Sequence, residues 1–282
     1  MTTAPDGLAG AACEHSHPSR CGRVSGVEAL LRWNSPGKGL VAPDSFIAVL
    51  EDTGLIVPVG SWVVRSACLQ LAQWDRQGLP ALRMAVNLSA RQFQQHGLLE
   101  VIAQALREAG IAPQRLELEL TESLLMNDEL ATLATLAALK KLGVSIAIDD
   151  FGTGHSSLGY LKRFDVDTLK IDRTFVRDTP DDPDDSAITA AVIALGHSLG
   201  LSVMAEGVEN LAQAEFLRDL GCDEIQGYLL SRPIEASHLD SWLTNYGRHV
   251  AARVGTQHGD LAEIAPTRRG PKLVSKRRGG DY

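Results

Sequence analysis

Asp149-Asp150-Phe151-Gly152-Thr153-Gly154 sets two adjacent carboxylates ahead of a Gly-x-Gly turn. The run before it, Val144-Ser145-Ile146-Ala147-Ile148, reads as a buried strand. Neighbouring side chains of a regular strand point to opposite faces. Asp149 and Asp150 can therefore serve one site only if the backbone turns there, and Gly152 and Gly154 permit a turn. Paired carboxylates of this kind suit divalent cations, which take hard oxygen ligands. The alternative is a solvated loop start, since Asp and Gly are common turn residues, and the hexapeptide alone does not separate the two.

Other polar residues recur where strand-like segments end. Glu28 and Arg32 lie on the first such segment and Asn87 on the second. Glu119 and Glu122 follow on the third, then Asp149 and Asp150, Lys170, Glu206 with Glu209, and Gln226. Glu28, Glu119 and Asp149 stand inside otherwise apolar runs, where an unpaired carboxylate is costly to bury. A ring of carboxylates repels itself without cations. Two divalent ions relieve that repulsion, and two-metal sites serve phosphoester hydrolysis. Glu119 is placed to face a barrel mouth, whereas Glu122 lies past the strand and could brace the Asp150–Gly154 loop through its backbone amides. Lys170 could orient a water or stabilise charge on a phosphoryl oxygen; the alternative is a structural salt bridge to Asp149 or Asp172.

Alternating elements must position these residues. Candidate strands are Val24–Trp33, Leu82–Leu88, Leu116–Thr121, Val144–Asp149, Thr168–Ile171, Ser202–Ala205 and Glu224–Gln226. Helical patterns lie between them: Pro43–Asp52, Gly60–Gln77, Leu98–Ala109, Leu130–Leu142, Ser186–Leu199 and Leu211–Leu220, with a last helix over Ala236–Tyr246. Gly78, Gly110, Gly143, Gly200 and Gly221 each close a helix just before the next strand, a repeated stop signal. Strict β-α alternation predicts a parallel sheet and, at 282 residues, a TIM-like (β/α)8 barrel. A doubly wound open sheet is the alternative, but no Gly-x-Gly-x-x-Gly turn follows the first strand. The barrel needs eight strands and the count reaches roughly seven. The shortfall lies before Val24, because residues 1–22 carry little apolar periodicity and read as irregular.

Composition narrows the function classes. No apolar run reaches the roughly 18 residues of a membrane span, and the Ala/Gly-rich N-terminus lacks an apolar signal core, so a cytoplasmic location is expected. Four scattered cysteines fit free thiols in that compartment. Cys13, His15, His17 and Cys21 could hold zinc, though their spacing is irregular for a structural site. The net charge is −8, and residues 247–282 carry eight Lys or Arg against three acids. The first 246 residues thus carry −13, which argues against a DNA or RNA polymer as partner. The basic tail reads as a solvated, disordered extension; contact with anionic lipid or nucleic acid is its other use.

Seven motifs in order make the chain resemble an EAL domain, the cyclic di-GMP phosphodiesterase family. They are Glu28-Ala29-Leu30-Leu31-Arg32-Trp33, Val86-Asn87-Leu88-Ser89, Glu119-Leu120-Thr121-Glu122, the Asp149–Gly154 hexapeptide, Lys170-Ile171-Asp172, Ala205-Glu206-Gly207-Val208-Glu209 and Gln226-Gly227-Tyr228, with Ser231-Arg232-Pro233 following. The resemblance implies a modified TIM barrel over residues 23–246 whose first strand runs antiparallel. It also implies two divalent ions, Mg2+ or Mn2+. Glu28, Asn87, Glu119 and Asp149 resemble ligands of one, and Asp149 and Asp150 ligands of the other. Glu206 resembles a general base or water-linked ligand, and Lys170 the water-positioning lysine. Arg32 and Gln226 resemble contacts to phosphate and guanine, Glu209 a supporting residue, and Glu122 the residue that holds the loop. The implied reaction is hydrolysis of cyclic di-GMP to linear pGpG in bacterial second-messenger signalling, by a homodimer. An EAL-like receptor without turnover and an inactive truncated barrel are the alternatives.

The chain departs from the family pattern twice. His155 stands where the loop usually continues with Tyr, and histidine can titrate near neutral pH. Residues 1–22 offer no counterpart of the family's N-terminal helix and first strand. The expectation is a barrel with that strand missing or altered, open at one edge.

Overall fold

The structure, a computed structural model, describes residues 8–18 as backbone, and residues 24–125, 129–153 and 161–246. His155, Cys21 and the basic tail 247–282 lie outside them, as do the side chains of Cys13, His15 and His17. The chain divides into two units, Met1–Leu243 and Thr244–Tyr282, and the sheet and its helices belong to the first.

Among the described residues, ten strands form one sheet. They are β1 (Leu8–Pro18), β2 (Gly26–Ser35), β3 (Gly39–Val41), β4 (Arg83–Asn87), β5 (Leu116–Thr121), β6 (Ser145–Phe151), β7 (Thr168–Ile171), β8 (Ser202–Ala205), β9 (Glu224–Gln226) and β10 (Ile234–Glu235). Pairings β2–β4, β4–β5, β5–β6, β6–β7, β7–β8 and β8–β9 are parallel. Strand β1 is antiparallel to both β2 and β9, and so closes the sheet into an eight-stranded barrel. The parallel strands are largely buried, yet polar residues stand among their apolar ones, as in Leu116-Glu117-Leu118-Glu119-Leu120 of β5 and Thr168-Leu169-Lys170-Ile171 of β7.

Strand β1 corrects the reading of residues 1–22 as irregular and of the barrel as open. Leu8-Ala9-Gly10-Ala11-Ala12-Cys13-Glu14-His15-Ser16-His17-Pro18 has weak strand propensity, but β2 and β9 each present an edge of backbone donors and acceptors that needs a partner. The first strand is altered in direction, not missing.

The helices are α1 (Ile47–Thr53), α2 (Ile56–Arg76), α3 (Ala90–Phe93), α4 (Leu98–Ala109), α5 (Glu122–Leu125), α6 (Glu129–Leu142), α7 (Arg173–Val176), α8 (Pro183–Ser198) and α9 (Leu211–Asp219). The expected last helix opens as a 3-10 turn, Ala236–His238, and is helical from residue 239. The five helix-stopping glycines all adopt left-handed backbone, with φ from 69° to 96°. No helix among the described residues is long and apolar enough to cross a membrane.

An ionic cluster fills the barrel end where the parallel strands begin. Arg83 at the start of β4 bonds Glu117 of β5 at 3.1 Å and Glu224 of β9 at 2.6 Å. Thr168 of β7 donates to Glu117 at 3.2 Å. With that end filled, the opposite rim, where the parallel strands finish, is left for chemistry.

Candidate active site

Residues 117, 119 and 121 of β5 share one face by strand periodicity. Glu117 therefore joins the lower cluster and Glu119 the rim above it. Around Glu119 the strand ends converge on Lys170, which is 1% exposed. Its ammonium lies 2.5 Å from Glu119, 2.6 Å from Glu206 and 3.3 Å from Asp149. Burial opposes the lysine's charge, but Glu119, Glu206, Asp149 and Glu28 outweigh it and hold its pKa well above the usual value. The salt-bridge reading of Lys170 is thus right for Asp149, with Glu119 and Glu206 added. The ammonium itself is buried among these carboxylates.

Burial pushes Glu119 well above the normal carboxyl range, against the pull of Lys170 and with Glu28, Asp149 and Glu206 adding to the rise. Burial also raises Glu206, to about 8. Glu119 Oε2 is buried with no hydrogen-bond partner among the described residues. An orphan carboxylate oxygen in such a place suits a cation.

Asp149 and Asp150 do reach one site, and the turn falls at Asp150 itself. Its φ is 55°, the one left-handed non-glycine residue among those described. The β6–β7 register shifts between Ile148 and Phe151. The Asp150 amide donates to Asp149 Oδ1 at 3.0 Å. Carboxylate oxygens of Asp149, Asp150 and Glu206 lie within 4.8 Å of one another, a spacing that one cation could bridge. Burial, then Asp149 and Asp172, push Asp150 up to about 6.

Glu28 accepts from Asn87 Nδ2 at 2.5 Å and from Gln226 Nε2 at 2.7 Å. Gln226 is positioned by a close backbone crossing: a Cβ on Gly227, at φ 150°, would lie 2.3 Å from the Val208 carbonyl oxygen. Val208 N in turn donates to the Gln226 carbonyl at 3.0 Å. The loops after β8 and β9 are thereby locked together.

Glu122 is the first residue of α5 and is buried, and its Oε2 accepts from Gly152 N at 3.2 Å. It braces the loop. Arg32 is half-buried, and its Nη1 donates to its neighbour's carbonyl, Leu31 O, at 2.9 Å. Glu209 is exposed; its backbone amide bonds the Gln213 side chain, and its carboxylate makes no hydrogen bond to the cluster among the described residues. Asp172 has no site role in the sequence reading beyond a pairing with Lys170. It caps α7 through Thr174 N at 2.9 Å, and against burial, bonds from Thr174 and Asp150 hold it below the usual carboxyl pKa. Its signal is an acid two residues after Lys170.

The donor set fits divalent cations: hard oxygens, an orphan buried lone pair, and a surplus of negative charge over the single ammonium.

A family model described as the EAL domain matches residues 16–233. The bifunctional diguanylate cyclase/cyclic di-GMP phosphodiesterase MucR of Pseudomonas aeruginosa is 50% identical over 218 residues, which is 77% of this chain and 32% of that protein. The chain thus spans about a third of that relative's length. The structure of PaMucR phosphodiesterase in complex with c-di-GMP matches with a TM-score of 0.79 at 47% identity, over 82% of this chain and 94% of that one. The Klebsiella pneumoniae BlrP1 manganese/cy-diGMP complex matches with a TM-score of 0.72 at 30% identity, over 82% of this chain and 57% of that one.

Proposed function

The chain belongs to the EAL domain family, and from that premise we propose that it is a metal-dependent phosphodiesterase that opens cyclic di-GMP to linear pGpG. The convergence of Glu119, Asp149 and Glu206 on buried Lys170, with Glu119 Oε2 left unpaired, carries this reading. Glu28, Asn87, Glu119 and Asp149 would hold one divalent ion, and Asp149 and Asp150 a second. Mg2+ or Mn2+ there supplies Lewis acidity and a water of lowered pKa.

The chain's own residues do the rest. Lys170 keeps three carboxylates from splaying apart and offers a donor to the attacking water or to a phosphoryl oxygen. Glu206, poised near neutral pH by burial, accepts the proton of the attacking water. The water oxygen bonds to phosphorus, the bond to the ribose 3′ oxygen breaks, and that oxygen takes up a proton. Arg32 meets the phosphate, and the Gln226 amide reads a guanine edge. Glu122 fixes the loop that carries Asp150, Glu209 supports the rim, and the working form is a homodimer in the cytoplasm.

Purified chain incubated with cyclic di-GMP and Mn2+ or Mg2+, with products separated by chromatography, tests the reading. The expected product is pGpG, absent when a chelator is added. Nucleotide binding without turnover would favour a receptor and overturn the enzyme assignment.

A further inference from the structure

Glu28 is engaged at both oxygens by amides: Asn87 at Oε1 and Gln226 at Oε2. Glu28 is 7% exposed and Gln226 4%, so solvent has little part in the arrangement. The contacts come from opposite sides of β2, with β4 on one side and β9, beyond β1, on the other.

An amide N–H and a cation compete for a carboxylate. The hydrogen carries positive partial charge, and a cation bound to the same group both repels it and withdraws the electron density it bonds to. The two amides can respond differently. Asn87 can rotate and present its oxygen, because an amide has a donor end and an acceptor end. Gln226 has a second use for its donors, since a guanine edge offers the O6 and N7 acceptors that an amide can meet.

We infer that Glu28 and Gln226 form an exchange: without a cation the carboxylate holds the amide, and a cation at Glu28 releases the amide to the guanine edge, so that metal and nucleotide bind with positive coupling. The inference rests on the metal and substrate reading above. Coupling of this kind is reciprocal, so nucleotide that draws the amide away must in turn tighten metal, and in the nucleotide-free protein the amide's hold on Glu28 opposes metal. Gln226 is then more than a substrate contact. It is a positioning residue that acts on the metal site through Glu28.

The test needs no turnover. Mn2+ binding is measured by calorimetry in the absence of nucleotide, for the wild-type chain, Gln226→Ala and Gln226→Met, the last keeping bulk while removing the donor. Melting curves in chelator establish that each variant folds. Both variants are expected to bind Mn2+ about ten- to a hundredfold more tightly, the size of one hydrogen bond to a charged group. Unchanged or weaker Mn2+ affinity would mean that Gln226 keeps its hold on Glu28 in the loaded state, which sinks the exchange and leaves the metal reading standing. Absence of Mn2+ binding by the wild-type chain would remove the metal reading itself, and the exchange with it.

Discussion

Asp150 is where folding and chemistry pull in opposite directions. A non-glycine residue at φ 55° costs about 1–2 kcal/mol, yet that conformation turns its carboxylate toward Asp149 and Glu206. Asp150→Gly is expected to raise the stability of the metal-free chain by about 1 kcal/mol, read as a higher melting temperature, while turnover is lost. A fall in melting temperature would show that the left-handed backbone is not strained. Asp149→Asn removes the ligand shared by both proposed ions and is expected to abolish turnover; substantial activity in that variant would exclude a bridging role. Glu122→Ala is milder: slower turnover with part of the Mn2+ affinity kept, because its bond goes to the Gly152 amide. Calorimetry showing complete loss of metal binding would place Glu122 among the ligands.

At the scale of elements, legibility follows burial. Strands β5, β7, β8 and β9 are readable nearly to the residue because buried apolar side chains recur along each short segment. The site residues are readable as the exceptions in those runs. Strand β1 is not, because nothing local makes Ala, Gly and His extended; the edges of β2 and β9 do. Asp172 escapes notice because a capping aspartate looks the same in sequence whether or not a second carboxylate adjoins it. Deleting residues 1–18 would reopen both edges. Such a chain should lose several kcal/mol out of a typical net stability of roughly 5–15, and melt without a cooperative transition or associate. A cooperative melt near the wild-type temperature would show that the barrel closes without β1.

For the whole molecule, the buried acids predict a pH dependence of definite sign. Glu206 is raised from 4.5 to about 8, and Asp150 from 3.8 to about 6. A carboxyl with a higher pKa folded than unfolded binds more protons when folded, so stability falls as pH rises between the two values. The metal-free chain should therefore lose melting temperature from about pH 4 to about pH 8 on account of these groups. Mn2+ should give a growing increment over the same range, since it displaces those protons. An increment that shrinks with rising pH would contradict the placement of the ions. The direction of β1 has one more effect. Because β1 runs against its neighbours, Leu8 pairs with Trp33, next to Arg32 at the rim where the parallel strands end. A tether fused ahead of Leu8 is thus delivered to that rim, the side of the proposed site, whereas in an all-parallel barrel it would emerge at the floor. A folded cargo on a short tether there is positioned to shade the entrance, and lengthening the tether should relieve it.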